Sequence, residues 1–171
     1  MKTFFFICML LVSTLGMAQD VKLDTLESDS IPAGEMVYFT PDKLPEYKGG
    51  ASALQKFLQD HLKYPSVAQQ KQVHGLIVVR FIVELDGTTS HFEVVRKKLN
   101  SDSEIIPDAD WLMTAKKKNV ITRSDFAVSQ QLLEEEAVRV CTLLNKWKAG
   151  VKDGENVRVY MSLPITFRLR K

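Results

Sequence analysis

From residue 157 to residue 169 the chain alternates without a miss. Val157, Val159, Met161, Leu163, Ile165, Phe167 and Leu169 stand against Arg158, Tyr160, Ser162, Pro164, Thr166 and Arg168. A period of two over that length predicts a β-strand with one face on a core and one toward water. Pro164 has no N–H to give a ladder, so it places the strand at a sheet edge. Residues 75–85 alternate in the same way, with Ile77, Val79, Phe81, Val83 and Leu85 on one face. Asp86-Gly87 then predicts a two-residue hairpin turn, because both turn positions favour positive φ. That register sets Phe92 against Phe81, Val94 against Val79 and Arg80 against Glu93, so apolar meets apolar and opposite charges pair. A three-residue turn would set Phe81 against His91 instead, and a bulge near Thr89 would mix the two.

Helical spacing appears twice. Leu54, Phe57, Leu58 and Leu62 share one face after Gly49-Gly50, and that helix must stop before Pro65, which disfavours a helical Tyr64. Pro65 can open a short second helix to about Gln72. From Asp125 a long helix is predicted to Trp147, with Leu133, Ala137, Val140, Cys141, Leu144 and Trp147 on one stripe and Gly150 suited to its C-terminal cap. Glu134, Glu135 and Glu136 read as its solvated face. Between hairpin and helix, residues 97–130 show no regular period and read as a functional loop or appended subelement. It holds a short helical pattern from Asp108 to Ala115. The last strand follows an Asp153-Gly154 turn. The order helix, hairpin, helix, edge strand predicts an α+β two-layer sandwich: a three-stranded antiparallel sheet with two main helices on one face. The β-prone run at residues 36–39 offers a short fourth strand.

The N-terminus changes where this fold is expected to work. Lys2, an apolar run at residues 4–12 and the small residues Gly16 and Ala18 read as a signal peptide over residues 1–18. An uncleaved anchor is the alternative, although Ser13, Thr14 and Gly16 interrupt the segment before the roughly 20 apolar residues a span requires. Residues 19–44 then form an acidic, flexible linker, and residues 45–171 the domain. The whole chain carries 23 basic and 21 acidic residues. Residues 19–47 hold seven acidic and two basic groups, so an acidic tail leads a mildly basic domain. Export and the absence of a clustered basic footprint argue against nucleic acid.

Candidate chemistry is thin. Loss of Cys8 with the signal leaves Cys141, on an apolar helical stripe, as a packing thiol. His61, His74 and His91 match no metal-ligand spacing. With no Gly-rich phosphate loop and no nucleophile elbow, we expect no enzyme, no metal and no cofactor. Trp147 reads as core, and Trp111 as the better candidate for an exposed anchor.

Several short motifs in order carry a family resemblance. Pro45-Glu46-Tyr47-Lys48-Gly49-Gly50, Tyr64-Pro65, the strand ending in Asp86-Gly87, Val94-Val95-Arg96, Glu136-Ala137, Trp147-Lys148-Ala149-Gly150 and Leu163-Pro164-Ile165-Thr166-Phe167-Arg168-Leu169 together resemble the TonB C-terminal domain. The resemblance spans residues 45–169 apart from the 97–130 insert. It implies a TonB/TolA C-terminal-like sandwich in the periplasm that grips the TonB box of an outer-membrane TonB-dependent transporter, in energy-coupled transport across the outer membrane. The last strand would accept that segment as an added strand. Carried to this chain, the receptor comprises Val157, Arg158, Val159, Tyr160, Met161, Ser162, Leu163, Thr166 and Arg168, flanked by Arg170. Trp111, Lys116, Lys117 and Lys118 of the insert are accessory candidates.

The chain departs from that family in its short, proline-poor tail, in the length of the insert, and at Ala149, where related sequences usually carry proline. An uncleaved anchor would add an inner-membrane ExbB/ExbD-type complex as a partner. The alternative use of the same edge is self-association, as a homodimer or in an envelope assembly, since an open edge pairs with whatever strand it meets.

Overall fold

A computed structural model describes residues 36–110 and 119–169. The expected signal peptide, the linker before residue 36, Trp111, Lys116, Lys117, Lys118 and Arg170 lie outside the described residues. In chain order the elements are β1 (Val37–Tyr38), β2 (Glu46–Tyr47), α1 (Gly50–His61), α2 (Ser66–Gln70), β3 (Val73–Val83), β4 (Thr89–Ser101), β5 (Glu104–Ile106), a 3-10 turn (Asp108–Asp110), β6 (Val120–Thr122), α3 (Arg123–Thr142), β7 (Trp147–Lys148), β8 (Gly150–Lys152) and β9 (Glu155–Phe167). The fold is α+β, as the alternation predicted. β3 is the central strand, antiparallel to β4 on one side and to β9 on the other, and β1 adds a short parallel strand to β9.

One face of this sheet builds the core. Ile77, Val79, Phe81 and Val83 of β3 meet Ile165 and Phe167 of β9 and Leu133, Ala137, Val140, Cys141 and Leu144 from α3 and the residues after it, while Leu54, Phe57, Leu58 and Leu62 cover it from the α1 side. Trp147 lies in the same core, edge-on to Tyr47 at 5.4 Å and 5.7 Å from Phe81.

The hairpin keeps the predicted pairs Val79 with Val94 and Arg80 with Glu93, and then departs from a uniform register. Val83 faces Thr89 and Ile82 faces Ser90, so the ladder shifts beside Phe81, where His91 takes a positive φ of 52°. A second shift leaves Val95 as an extra residue opposite Val78 and Val79. β3 ends at Val83, and Leu85 is exposed in a wider loop whose Asp86 carboxylate accepts from Thr88 N and Oγ1. β-Bulges of this kind are hard to read from a period because one residue changes the count without changing the composition.

Three other boundaries move. β4 continues to Ser101 against Val73, so part of the segment read as irregular is sheet. α3 starts at Arg123, with Thr122 Oγ1 accepting from Asp125 N, and stops at Thr142 rather than reaching Trp147. Gly150 is therefore not a helix cap; it pairs with Val157 in the β8–β9 hairpin. That hairpin turns through Asp153 and Gly154, both at positive φ, as the Asp-Gly dipeptide predicted.

Glu136 corrects the reading of a wholly solvated Glu134-Glu135-Glu136 face. Its side chain is nearly buried, accepts from Lys63 N at 2.6 Å, and pairs with Arg139 Nε at 2.6 Å. Arg139 also donates to the His61 carbonyl, so the pair closes the end of α1. Burial pushes the Glu136 carboxyl up, but Arg139 and the Lys63 N–H outweigh it and hold the group below its ordinary 4.5. A lowered folded-state value means stabilisation that is full above the unfolded value and lost as pH falls through the folded one. Glu136→Gln is therefore expected to lose about 1–3 kcal/mol at pH 7. Urea titrations should show that deficit shrinking below about pH 4, a range set by the usual carboxylate pKa.

Candidate functional site: the open half of the last strand

Which backbone groups of β9 are free follows from one hydrogen bond in the hairpin. Glu84 N donates to Thr88 O across the β3–β4 turn, so Glu84 points its backbone groups toward β4. Backbone direction alternates along a strand. Val83, Phe81, Val79, Ile77 and Gly75 therefore aim at β9, and their partners Val159, Met161, Leu163, Ile165 and Phe167 aim back. Arg158, Tyr160, Ser162, Pro164 and Thr166 aim the other way, toward the edge. Pro164 thus removes an N–H from the edge side and none from the β3 ladder, which is why the pairing runs past it without a shift.

The predicted receptor divides at Tyr160. Val157 is buried and paired with Gly150, and β1 already pairs with Arg158 and Val159. Beyond Tyr160, among the described residues, no strand covers the edge of residues 161–167. It presents the carbonyls of Ser162, Pro164 and Thr166 and the N–H groups of Ser162 and Thr166. Met161 and Leu163 pack on the core, whereas Ser162, Thr166 and Arg168 are exposed. Two donors and three acceptors are enough to register an added strand of about six residues.

Side chains around the edge were less legible than the edge itself. Arg158 is held by Glu84 through Nε at 2.6 Å and Nη2 at 3.0 Å, and this contact, ahead of all others, draws the Glu84 carboxyl below its usual range. Tyr160 is stacked under Phe39 at 4.4 Å and lies 5.5 Å from the Arg80 guanidinium. At the far end, a cleft of about 810 Å³ opens beside residues 164–169, walled by Leu58 and Gln59 of α1, Leu62, Tyr64 and Gln69. Tyr64 donates to the Val73 carbonyl at 2.6 Å and sits edge-on to Phe167, and burial pushes its hydroxyl up to about 12. The apolar walls were readable as the α1 stripe. Their placement beside the strand end was not, because it depends on how the chain turns at Tyr64-Pro65 to set the C-terminal part of α1 across a cleft from residues 164–169.

The opposite sheet edge differs. β4 is interrupted by two bulges and carries Arg96, Lys97 and Lys98 in sequence. Bulges and basic side chains are what proteins place on edges that must not pair.

Other chemistry-bearing residues stand apart. Cys141 is fully buried, and burial raises its thiol to about 12, so it stays protonated at physiological pH. His61 is exposed and stacked on Phe57, His74 lies 3.9 Å from Asp102, and His91 is exposed in the bulge. No group of three or more His, Cys, Asp or Glu suited to a metal ion occurs among the described residues.

No family model and no curated protein matches the chain. Among solved structures it is similar to the TonB C-terminal domain of Helicobacter pylori, at 18% identity over 69% of this chain and 78% of that one, with a TM-score of 0.38. A likeness that loose goes no further than the α+β arrangement of strands and helices.

Proposed function

We propose that this chain is a TonB-like strand receptor of the periplasm, which binds an extended segment of an outer-membrane TonB-dependent transporter by β-strand addition to residues 160–167. The observation that carries it is the contrast between the two edges of one sheet: β4 is bulged and lysine-rich, while the outer half of β9 is regular and uncovered by any described strand. The motif order read from the sequence supplies the class of partner. Backbone hydrogen bonds give the affinity, and the cleft by Tyr64 and the platform at Tyr160 choose among side chains.

Synthetic peptides from the plug N-termini of outer-membrane transporters test this directly. Saturable binding is expected with a dissociation constant on the order of micromolar, because an extended peptide must be ordered as it docks. Slowed amide exchange at Ser162 and Thr166 should accompany it. No saturable binding below about 1 mM, a bound near −4 kcal/mol, sinks the proposal. If a second copy takes the edge instead, sedimentation at rising concentration will show a dimer that the peptides do not dissolve.

A further inference from the structure

We propose that residues 36–39 form a displaceable strap, which occupies the first rungs of the ligand edge and must be peeled away for a partner to gain its full length. The proposal rests on the strand-receptor reading above. β1 contributes two rungs, Val37 beside Arg158 and Tyr38 beside Val159, and Phe39 adds one ring stacked on Tyr160. These three residues of β9 begin the same edge that is open from residue 161 onward. A strand arriving on the open half meets the strap end to end, and cannot extend across Tyr160 while the strap is in place.

The strap is lightly held and its base is firmly held. Phe39 remains 64% exposed despite its stack on Tyr160, and Met36 is 41% exposed. Just downstream, the Asp42 carboxylate accepts from Asp153 N at 2.8 Å and from Lys152 Nζ at 3.1 Å. Lys43 and Val151 exchange two backbone hydrogen bonds, at 3.0 and 2.9 Å. Thr40-Pro41 lies between the two parts, and Pro41 has no N–H to hold. Release of residues 36–39 therefore leaves the rest of the domain anchored. A two-residue strand is marginal by itself, so docked and released states interconvert. Partner affinity is then reduced by the fraction of molecules with the edge free.

The experiment uses the full chain and the double variant Tyr38→Pro/Phe39→Ala, with thermal melting confirming that both fold. Hydrogen exchange needs no ligand: the Arg158 and Tyr160 amides, which point toward β1, should exchange faster in the variant while Leu163 and Ile165 stay unchanged. Transporter plug peptides should then bind the variant about tenfold more tightly than the parent chain. Equal exchange at Arg158 and Tyr160 overturns the strap as a docked element. Equal peptide affinity overturns it as a competitor while leaving the receptor reading intact. Binding by neither chain overturns the receptor reading, and the strap's role with it.

Discussion

Ser162→Pro is expected to weaken binding of an extended partner by roughly tenfold to a hundredfold, equivalent to about 1–3 kcal/mol for a lost hydrogen bond and a partner carbonyl left unpaired, without unfolding the domain. Ser162 and Pro164 share a direction on β9, away from β3, so a second proline there removes an edge donor and no ladder bond. Val159→Pro, by contrast, is no test of the edge. Val159 is fully buried and points its backbone at Val83, so a proline there breaks the sheet and the core together. The reciprocal change sharpens the test. Pro164→Thr returns an N–H between those of Ser162 and Thr166 and should tighten peptide binding, or drive edge-to-edge association where no peptide is present. Calorimetric titration of the three chains checks the order Pro164→Thr, parent, Ser162→Pro. The same affinity in all three would place the partner somewhere other than this edge.

Period-two alternation made β9 and the core face of β3 legible, since each apolar residue from Val157 to Phe167 falls on the side the helices cover. Pro164 pointed to the edge for a sound physical reason, and the direction of its missing N–H agrees. The extent of the open edge was not legible. Its cover comes from residues 37–38, about 120 positions away in sequence, and a two-residue parallel pairing leaves no periodic trace. Glu136 was misplaced on a solvated face because, although Arg139 is its i,i+3 neighbour on α3, the Lys63 N–H that it accepts from belongs to the segment after α1, 73 positions away in sequence. The stop of α3 at Thr142 was missed because Leu144 and Trp147 continue the helical stripe while reaching the core from loop and strand. Spacing reports which residues are buried more reliably than which backbone conformation buries them.

The two Asp-Gly dipeptides look alike in sequence and should respond very differently to substitution. Gly87 and Gly154 have nearly the same φ, 82° and 84°, so alanine meets similar backbone strain at each, about 1–2 kcal/mol. Nothing lies within 4 Å of where a Cβ would stand at Gly154, and Gly154→Ala should lose little more than that. At Gly87 the added carbon would overlap the Trp147 carbonyl oxygen, while Gly87 O accepts from Trp147 N at 3.2 Å. The hairpin tip and the segment leading into β8 are in backbone contact there, and neither can withdraw without moving Trp147 out of its place between Tyr47 and Phe81. Gly87→Ala should therefore destabilise by about 3–5 kcal/mol, the scale of losing a large core side chain, from a total that for such domains is about 5–15 kcal/mol. Urea unfolding of both variants decides the matter: equal midpoints would mean that the hairpin tip yields freely and that Gly87 serves only its turn, whereas a wide gap assigns it to seating Trp147 and, through β7 and β8, the start of the strand that presents the open edge.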